Sequence, residues 1–361
     1  MTVREDVILA PYTSLSVGGP ARFFIEAACE RDVREAALFA VSKHLPLVSL
    51  GGGTNILVPD EGVDAVVLAL RAEDFVFEPP DDRTVLLIAS AGASWDTLVR
   101  AAGERELWGI ENLAGIPGRA AGALVQNIGA YGAELSSAFV YADVFDVTTG
   151  IVHRIEHKDA HLSYRSSIFR GSRRLVILRI ALSLSSSGAP QVAYADLVRA
   201  REEGAALSSP GDIAQAVRAI RATKFPIVGE GRTAGSFFKN PTVDGATLAR
   251  LTARYPDMPV YPPMSALGGP AAGAKLSLAW LLDRALGLKG YTEGNVRLFE
   301  RQPIVLVASM GASAADIDAF ACSIERRVRE ELGITIEREV EIFGPLRQSK
   351  REASARVAQK K

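Results

Sequence analysis

The chain has 361 residues, too many for one ordinary hydrophobic core, and its 48% hydrophobic and 23% charged content is that of a folded protein of two or three domains. Its 41 basic and 42 acidic residues leave a formal net charge of −1, which removes the electrostatic case for nucleic acid or a membrane surface as partner. Cys29 and Cys322 lie far apart in apolar settings and read as buried thiols rather than a disulfide or metal pair. No run approaches the ~18 apolar residues of a membrane span, and the opening MTVREDVILAPY lacks the apolar core of a signal peptide, so the chain reads as cytoplasmic.

Residues 11–30 alternate apolar and polar positions and predict strands around a Gly18-Gly19-Pro20 turn. Val33, Ala36, Ala37 and Val41 have helical spacing, so Asp32 to His44 reads as a helix. Leu47 to Leu50 is a short buried strand that runs into Gly51-Gly52-Gly53-Thr54-Asn55. Ala65 to Leu70 and Thr84 to Ser90 are buried strands; Ser94 then caps a helix expected to reach Trp108, with Asp96 in its first turn. Strands follow near 140–147, 151–155 and 176–184, and Ser185 to Gly188 reads as a linker. His153, His157 and His161 would align only on a helix; a strand after the Thr149-Gly150 turn scatters them, so no metal site is expected there.

The stretch 109–136, GIENLAGIPGRAAGALVQNIGAYGAELS, holds six glycines and, between Asn112 and Ala133, one charged residue, Arg119. A core helix would not carry so many glycines, each costing roughly 1 kcal/mol against alanine. An uncharged, glycine-rich loop with Pro117 fixing a turn suits close approach of backbone N–H groups to a large ligand such as a diphosphate; the plain alternative is a long surface loop. The Gly51–Asn55 run is a second such turn. It has neither the lysine of a Walker loop nor the GxGxxG spacing of a Rossmann fingerprint.

Further on, Ser209-Pro210-Gly211-Asp212 is a helix start, with Ile213, Ala216, Val217 and Ile220 as the buried face and Arg218, Arg221 and Lys224 on a polar side. Helices are expected at 244–255 and 276–287, a central strand at Ile304 to Ala308, a helix at 314–332 and an alternating strand at 334–343. No Ser-His-Asp order, cysteine cluster or HExxH appears, so hydrolase and zinc chemistry have no support.

The wording GIPG, with QNIGAY after it, resembles one family, the bacterial UDP-N-acetylenolpyruvoylglucosamine reductases (MurB), flavoenzymes of peptidoglycan synthesis. Further motifs stand in that family's order from Gly18 to Glu339: Gly18-Gly19-Pro20, Tyr164-Arg165-Ser166-Ser167, Gly235-Ser236-Phe237-Phe238-Lys239-Asn240-Pro241, and Ile336-Glu337-Arg338-Glu339-Val340. The resemblance implies an α+β fold: a two-lobed FAD-binding unit of the vanillyl-alcohol-oxidase (PCMH) type over 1–200, with lobes of about 1–74 and 75–200, then an α/β substrate-binding domain over 201–345. Residues 346–361, rich in basic residues and without an apolar face, are expected to form a disordered tail.

The same resemblance implies tightly held, non-covalent FAD reduced by NADPH, with UDP-N-acetylglucosamine enolpyruvate as substrate, UDP-N-acetylmuramate as product, and a monomeric enzyme. FAD would be held by Gly51, Gly52, Gly53, Thr54 and Asn55, by Gly115, Ile116, Pro117 and Gly118, and by Gln126, Asn127, Ile128, Gly129, Ala130 and Tyr131. Lys224, Asn240, Tyr261 and Lys275 would address diphosphate, uridine or sugar, with Arg221 beside Lys224 and Gln302 near the carboxylate. Tyr194, otherwise a packed tyrosine at a turn, would cover the substrate, as in the subclass with an extra tyrosine-bearing loop.

The catalytic trio implied is Arg165, Ser236 and Glu339. Hydride addition to the vinyl carbon distal to the carboxylate builds negative charge on that carboxylate, which an arginine fork is suited to stabilise. A glutamate nearby helps only if protonated or hydrogen-bonded through a shared donor. Ser236 would deliver the proton to the adjacent carbon, which a serine can do only to a strongly basic centre at fixed range. Ser166 stands where the family often has aspartate, which puts the local support of Arg165 in question. A related FAD oxidase of a small alcohol or sugar is the alternative; the flavin turns carry no histidine for covalent attachment, and GSFFKNP argues against it.

Overall fold

β-Branched and aromatic runs become strands and alanine-rich stretches become helices in the computed structural model of the chain, which describes residues 1–79, 81–226, 230–261 and 273–345. In chain order, β1 (Val3–Ile8), β2 (Pro20–Ala27), α1 (Glu30–Ser42) and β3 (Leu47–Leu50) precede β4 (Ile56–Leu57), β5 (Val63–Leu70), β6 (Phe75–Glu78) and β7 (Thr84–Ser90). Next come α2 (Trp95–Gly103), α3 (Ala120–Val125), β8 (Gly129–Ala130), β9 (Ala133–Glu134), β10 (Phe139–Asp146), β11 (Ile151–Glu156), β12 (Leu175–Ser185), α4 (Ala195–Glu202) and α5 (Pro210–Lys224). The remainder is β13 (Thr242–Val243), α6 (Gly245–Arg254), β14 (Val260–Tyr261), β15 (Ala274–Leu276), α7 (Leu278–Trp280) with a π turn at Leu281–Ala285, β16 (Thr292–Glu293), β17 (Val296–Phe299), β18 (Gln302–Ala308), α8 (Ala314–Leu332) and β19 (Glu341–Ile342).

By contact the chain forms two units, residues 1–5, 23–52 and 65–222 making the first, and 6–22, 53–64 and those from 223 onward the second. The boundary expected at residue 200 differs from this division for a packing reason. Ile213, Ala216 and Val217 of α5 are buried in one cluster with Leu87 and Trp95, whereas Leu15, Val17 and Leu57 are buried with Phe237 and Phe238.

Among the described residues, one sheet has the order β1-β2-β5-β3 and another the order β11-β10-β12-β7-β6. In the second sheet β12 pairs antiparallel with β7, Ala181 opposite Ile88, and with β10, Val144 opposite Ile177. The apolar stripe of α1 (Val33, Ala36, Ala37, Ala40) is buried with Phe23, Ile25, Val66 and Leu68, and with Phe145 and Val176. In the second unit Ile317, Phe320, Ala321, Ile324, Val328 and Leu332 of α8 are buried in the cluster that holds Leu298, Val305 and Val307. Each larger aliphatic or aromatic side chain of that stripe contributes ~1.5–3 kcal/mol by leaving water.

Several expected elements change. The α2 helix stops at Gly103 rather than Trp108, since Glu106 takes φ +56° and Trp108 exchanges backbone hydrogen bonds with Ser185. Residues 11–19 form no strand; a short 3₁₀ turn, Ala10–Tyr12, leads to β2. The alternation at 334–343 is real in burial, with Ile334, Ile336 and Val340 inside, yet a named strand forms only over Glu341–Ile342, with Arg338 as an isolated antiparallel bridge to Phe238. The 109–136 stretch is not loop throughout: it folds α3 and the β8–β9 hairpin. Cys29 and Cys322 are both exposed, against the expected burial. The 346–361 tail lies outside the described residues.

Candidate active site

In the first unit the glycine-rich stretch is laid against the start of α2. Arg119 bridges to Ser94, Trp95 N–H donates to the Gly118 carbonyl at 3.1 Å, and the Trp95 indole donates to the Leu113 carbonyl at 3.0 Å. Trp95 is fully buried, so its backbone holds the Gly118 end of the turn Gly115–Gly118 and its ring holds the chain two residues before Gly115. A Cβ on Gly52 would stand 2.9 Å from Gly118 Cα, so the two expected FAD turns approach backbone to backbone, which glycine permits. Arg119, the single charge in this part, is engaged by Glu73 and by the Gly92 carbonyl at 2.8 Å.

The Gln126–Tyr131 segment carries two left-handed residues, Asn127 (φ +39°) and Tyr131 (φ +49°). Asn127 is fully buried; its amide donates to the Ser163 carbonyl at 2.9 Å and its Oδ1 accepts from Ser136 N–H at 2.9 Å. Tyr131 is held by Asn112, whose amide donates to the Tyr131 carbonyl at 2.8 Å. Ile128 and Ala130 pack at the edge of the main apolar cluster of this unit. These residues fit a bound dinucleotide: close-approaching glycine backbones, a fixed Pro117 turn, and no acidic side chain in 51–55 or 115–118 to oppose a diphosphate.

Arg165 sits in a tight turn closed by Ser163 and Ser166, whose backbones exchange hydrogen bonds at 3.1 and 3.0 Å. It has φ +53°, and its guanidinium donates Nη2 to the Gly129 carbonyl at 2.8 Å. Ser166 closes the turn through its backbone, a contact that does not use its side chain. Arg170 donates to the Arg165 carbonyl at 2.7 Å, and Ser167 Oγ to the Val125 carbonyl at 2.7 Å, so the turn is braced from both sides.

Arg221 donates Nε to the Gly115 carbonyl at 3.0 Å. Burial, and then the charge of Arg165, pull its guanidinium below the usual value, against Tyr131 and Asp96. Burial pushes the Tyr131 hydroxyl up to about 12, with Arg221 opposing, so the ring stays protonated at neutral pH. Tyr194, at the N-cap position of α4 and 42% exposed, sets its ring edge-on to Tyr131 at 5.3 Å between centroids. Arg165, Arg221, Tyr131 and Tyr194 thus form one neighbourhood, rich in donors and in positive charge.

The second unit holds the rest. Ser236 bridges to Val305 of β18, and Phe237 N–H donates to the Ile304 carbonyl at 2.9 Å. On the other side Phe237's carbonyl accepts from Glu339 N–H at 2.8 Å and Val340 N–H at 3.4 Å. Two residues thus oppose one, the pattern of a β-bulge, which re-aims side chains beside many active sites. Although β18 ends the order β16-β17-β18, it has this 235–239 segment along its other edge. Gln302 begins the same strand, opposite Phe299.

Asn240 accepts through Oδ1 from Leu278 N–H at 3.0 Å. Lys275 lies opposite both Thr242 and Tyr261 in the β13-β15-β14 sheet, so two expected substrate residues, Lys275 and Tyr261, are direct cross-strand neighbours. Gly53 takes φ +63° with Tyr12's carbonyl 2.0 Å from where its Cβ would be. Thr54 and Asn55 lead into β4, which pairs in parallel with β19. Lys224 closes α5. Sequence reasoning missed Arg338, whose guanidinium is held by Asp318 and Glu325; burial draws its pKa down, but those hydrogen bonds outweigh it and raise it. It also missed Asp96 as more than a helix-start charge. Among the described residues no group of three or more His, Cys, Asp or Glu side chains is placed to hold a metal.

Residues 21–156 match the model of the FAD binding domain, and residues 227–343 that of the UDP-N-acetylenolpyruvoylglucosamine reductase C-terminal domain. The match to the FAD binding domain defines a flavoprotein that binds FAD through its N-terminal part. The chain is 35% identical over 347 residues to the UDP-N-acetylenolpyruvoylglucosamine reductase of Pseudomonas aeruginosa, covering 95% of this chain and 99% of that one, and 32% identical to the Thermobifida fusca reductase, covering 94% and 98%. It superposes on the crystal structure of the Thermus caldophilus reductase with a TM-score of 0.65 and 26% identity, covering 95% of this chain and all of that one. The chain belongs to the UDP-N-acetylenolpyruvoylglucosamine reductases, FAD-dependent oxidoreductases of peptidoglycan synthesis, and its fold is the expected α+β one.

Proposed function

We propose that this chain reduces UDP-N-acetylglucosamine enolpyruvate to UDP-N-acetylmuramate through the residues just described, as a cytoplasmic monomer. The glycine turns at 51–55 and 115–118 and the segment 126–131 hold FAD. Bound there, FAD would supply the hydride chemistry that links NADPH to the vinyl carbon of the substrate.

The chain's own groups do the rest. Arg165, fixed by Gly129, offers its guanidinium to the carboxylate as negative charge grows there. Ser236 gives a proton to the carbon beside that carboxylate, and Glu339 keeps the local hydrogen bonding in order. The carrying observation is the hydrogen bond of 2.8 Å from Glu339 N–H to the Phe237 carbonyl, which sets the serine and the glutamate on neighbouring backbones. Lys224, Arg221, Asn240, Tyr261, Lys275 and Gln302 bind the sugar nucleotide, and Tyr194 covers it. Among the described residues no helix is long and apolar enough to cross a membrane.

Stopped-flow absorbance tests the reading. Protein reduced with NADPH is mixed with the enolpyruvyl sugar nucleotide or with oxygen. Fast reoxidation by the sugar nucleotide and slow reoxidation by oxygen is the expected result; the reverse would make the chain an oxidase.

A further inference from the structure

Gly115, the first residue of the turn Gly115–Gly118, is gripped at both of its backbone polar groups by side chains of α2 and α5 in the first unit. Its N–H donates to Asp96 Oδ1 at 2.7 Å, and its carbonyl accepts from Arg221 Nε at 3.0 Å. Arg218, one turn before Arg221, covers the same carboxylate, with Nε at 3.0 and 3.2 Å from the two oxygens and Nη2 at 2.9 Å from Oδ1. Gly115 has φ +68°, and a Cβ there would meet Arg218 Cγ and Arg221 Cδ, each at 3.3 Å. Arginine stems therefore wall the glycine in while their heads hold its surroundings.

The charge balance matters as much as the geometry. Burial raises the Asp96 carboxyl, but hydrogen bonds from Arg218 and from Gly115 N–H outweigh it and hold the group below the usual carboxylate range. An ionised carboxylate next to a turn that must receive a diphosphate repels it unless a cation stands beside the carboxylate. Arg218 is that cation, and Arg100 adds a looser contact at 3.7 Å.

We propose that Asp96 is a positioning residue for the FAD-holding turn, that Arg218 offsets its charge, and that Arg221 serves this turn in addition to any contact with substrate. The proposal rests on the reading that Gly115–Gly118 contacts FAD. It joins the first turn of α2 to a residue 122 positions later in the chain, so that docking of α5 and the shape of the flavin turn are one event.

The test compares Asp96→Asn, Arg218→Met, the double variant and Gly115→Ala, each purified with FAD. The release rate of FAD after dilution is read from the rise of free-flavin fluorescence, and the melting temperature of each apoprotein is measured alongside. Asp96→Asn is expected to release FAD about tenfold faster or more, the scale of a lost charge-assisted hydrogen bond. Arg218→Met is expected to be faster still, because it leaves the carboxylate uncompensated, and the double variant is expected to fall back to the Asp96→Asn rate. That non-additivity shows that the two side chains act on FAD through one contact, and apoprotein melting temperatures that do not follow the release rates separate this from a general loss of stability. Wild-type release in both single variants, or simple addition in the double, would overturn the proposal. If Gly115→Ala also releases FAD at the wild-type rate, the turn does not contact FAD and the underlying reading falls with it; if Gly115→Ala alone is fast, only the positioning role is lost.

Discussion

Asn55 and Glu339, 284 residues apart in the chain, are joined by a hydrogen bond of 3.1 Å from the Asn55 side-chain amide to the Glu339 carbonyl. Asn55's own carbonyl accepts from Glu341 N–H at 3.1 Å, and Glu339 N–H is taken by Phe237. The proposed catalytic glutamate is therefore held through its backbone by the end of a glycine turn and by the residue after the proposed acid. Asn55→Ala is expected to slow reoxidation of the reduced enzyme by the enolpyruvyl substrate about two- to tenfold, the scale of one net hydrogen bond of ~0.5–1.5 kcal/mol. If stopped-flow traces keep the wild-type rate and only FAD affinity changes, Asn55 serves the cofactor alone.

Arg338, the residue before that glutamate, ties the same segment to α8 through Asp318, Glu325 and a 3.1 Å contact with Cys322 Sγ. Its side chain is 19% exposed, but Asp318 is 49% exposed, so solvent screens part of the attraction. Arg338→Met is expected to lower unfolding free energy by about 1–3 kcal/mol, with Arg338→Lys intermediate because it keeps the charge and loses the fork. Urea denaturation measures both; equal stability of Arg338→Met and wild type would remove the clasp from the account.

Asp146, fully buried at the end of β10, accepts from Thr148 N–H at 2.8 Å and from Arg174 Nε at 2.8 Å. The hydrogen bond from Arg174, ahead of the opposing effect of burial, holds its carboxyl at about 2 against an ordinary 3.8. Because the folded value lies below the unfolded one, the folded state binds fewer protons, and the stabilisation is present above about pH 4 and lost as pH falls toward about 2. Asp146→Asn is expected to be less stable than wild type at neutral pH and to show a shallower loss of stability across that acid window. Thermal melts from pH 7 downward compare the two, and parallel acid limbs would show that this carboxylate does not carry the dependence.

What the sequence made legible was local. The α8 helix spans the expected 314–332 because one apolar stripe, a Ser313–Asp316 capping box and Gly333 in the left-handed conformation all agree. Expected segments failed where a distant partner decides. Trp108 leaves its helix to pair with Ser185, and Ile334 to Val340 alternates in burial without a continuous strand partner. The backbone neighbours of Arg165, Ser236 and Glu339 were invisible as well, since those residues lie in separate stretches and the residues that brace them, Gly129, Val305 and Phe237, are ordinary by type. Asp96 carried a signal, an acid in a first helical turn, but its main charge partner, Arg218, lies 122 residues later.

The role of Ser236 is open to a test that divides the reaction at one atom. Reduction of the bound flavin by NADPH involves no proton at a substrate carbon, so Ser236→Ala is expected to be reduced at close to the wild-type rate. The second half-reaction needs the proton, and loss of a positioned general acid costs about 10²–10⁴-fold. Reoxidation of the reduced variant by the enolpyruvyl substrate should therefore slow over that range. The bridge to Val305 is made by backbone, so Ser236→Ala leaves the segment in place and the change reads on the hydroxyl. Ser236→Cys, with a donor near the same position, is expected to recover part of the loss. Should Ser236→Ala reoxidise as fast as wild type while its flavin reduction is normal, the serine is a turn residue only, and the proton comes from elsewhere.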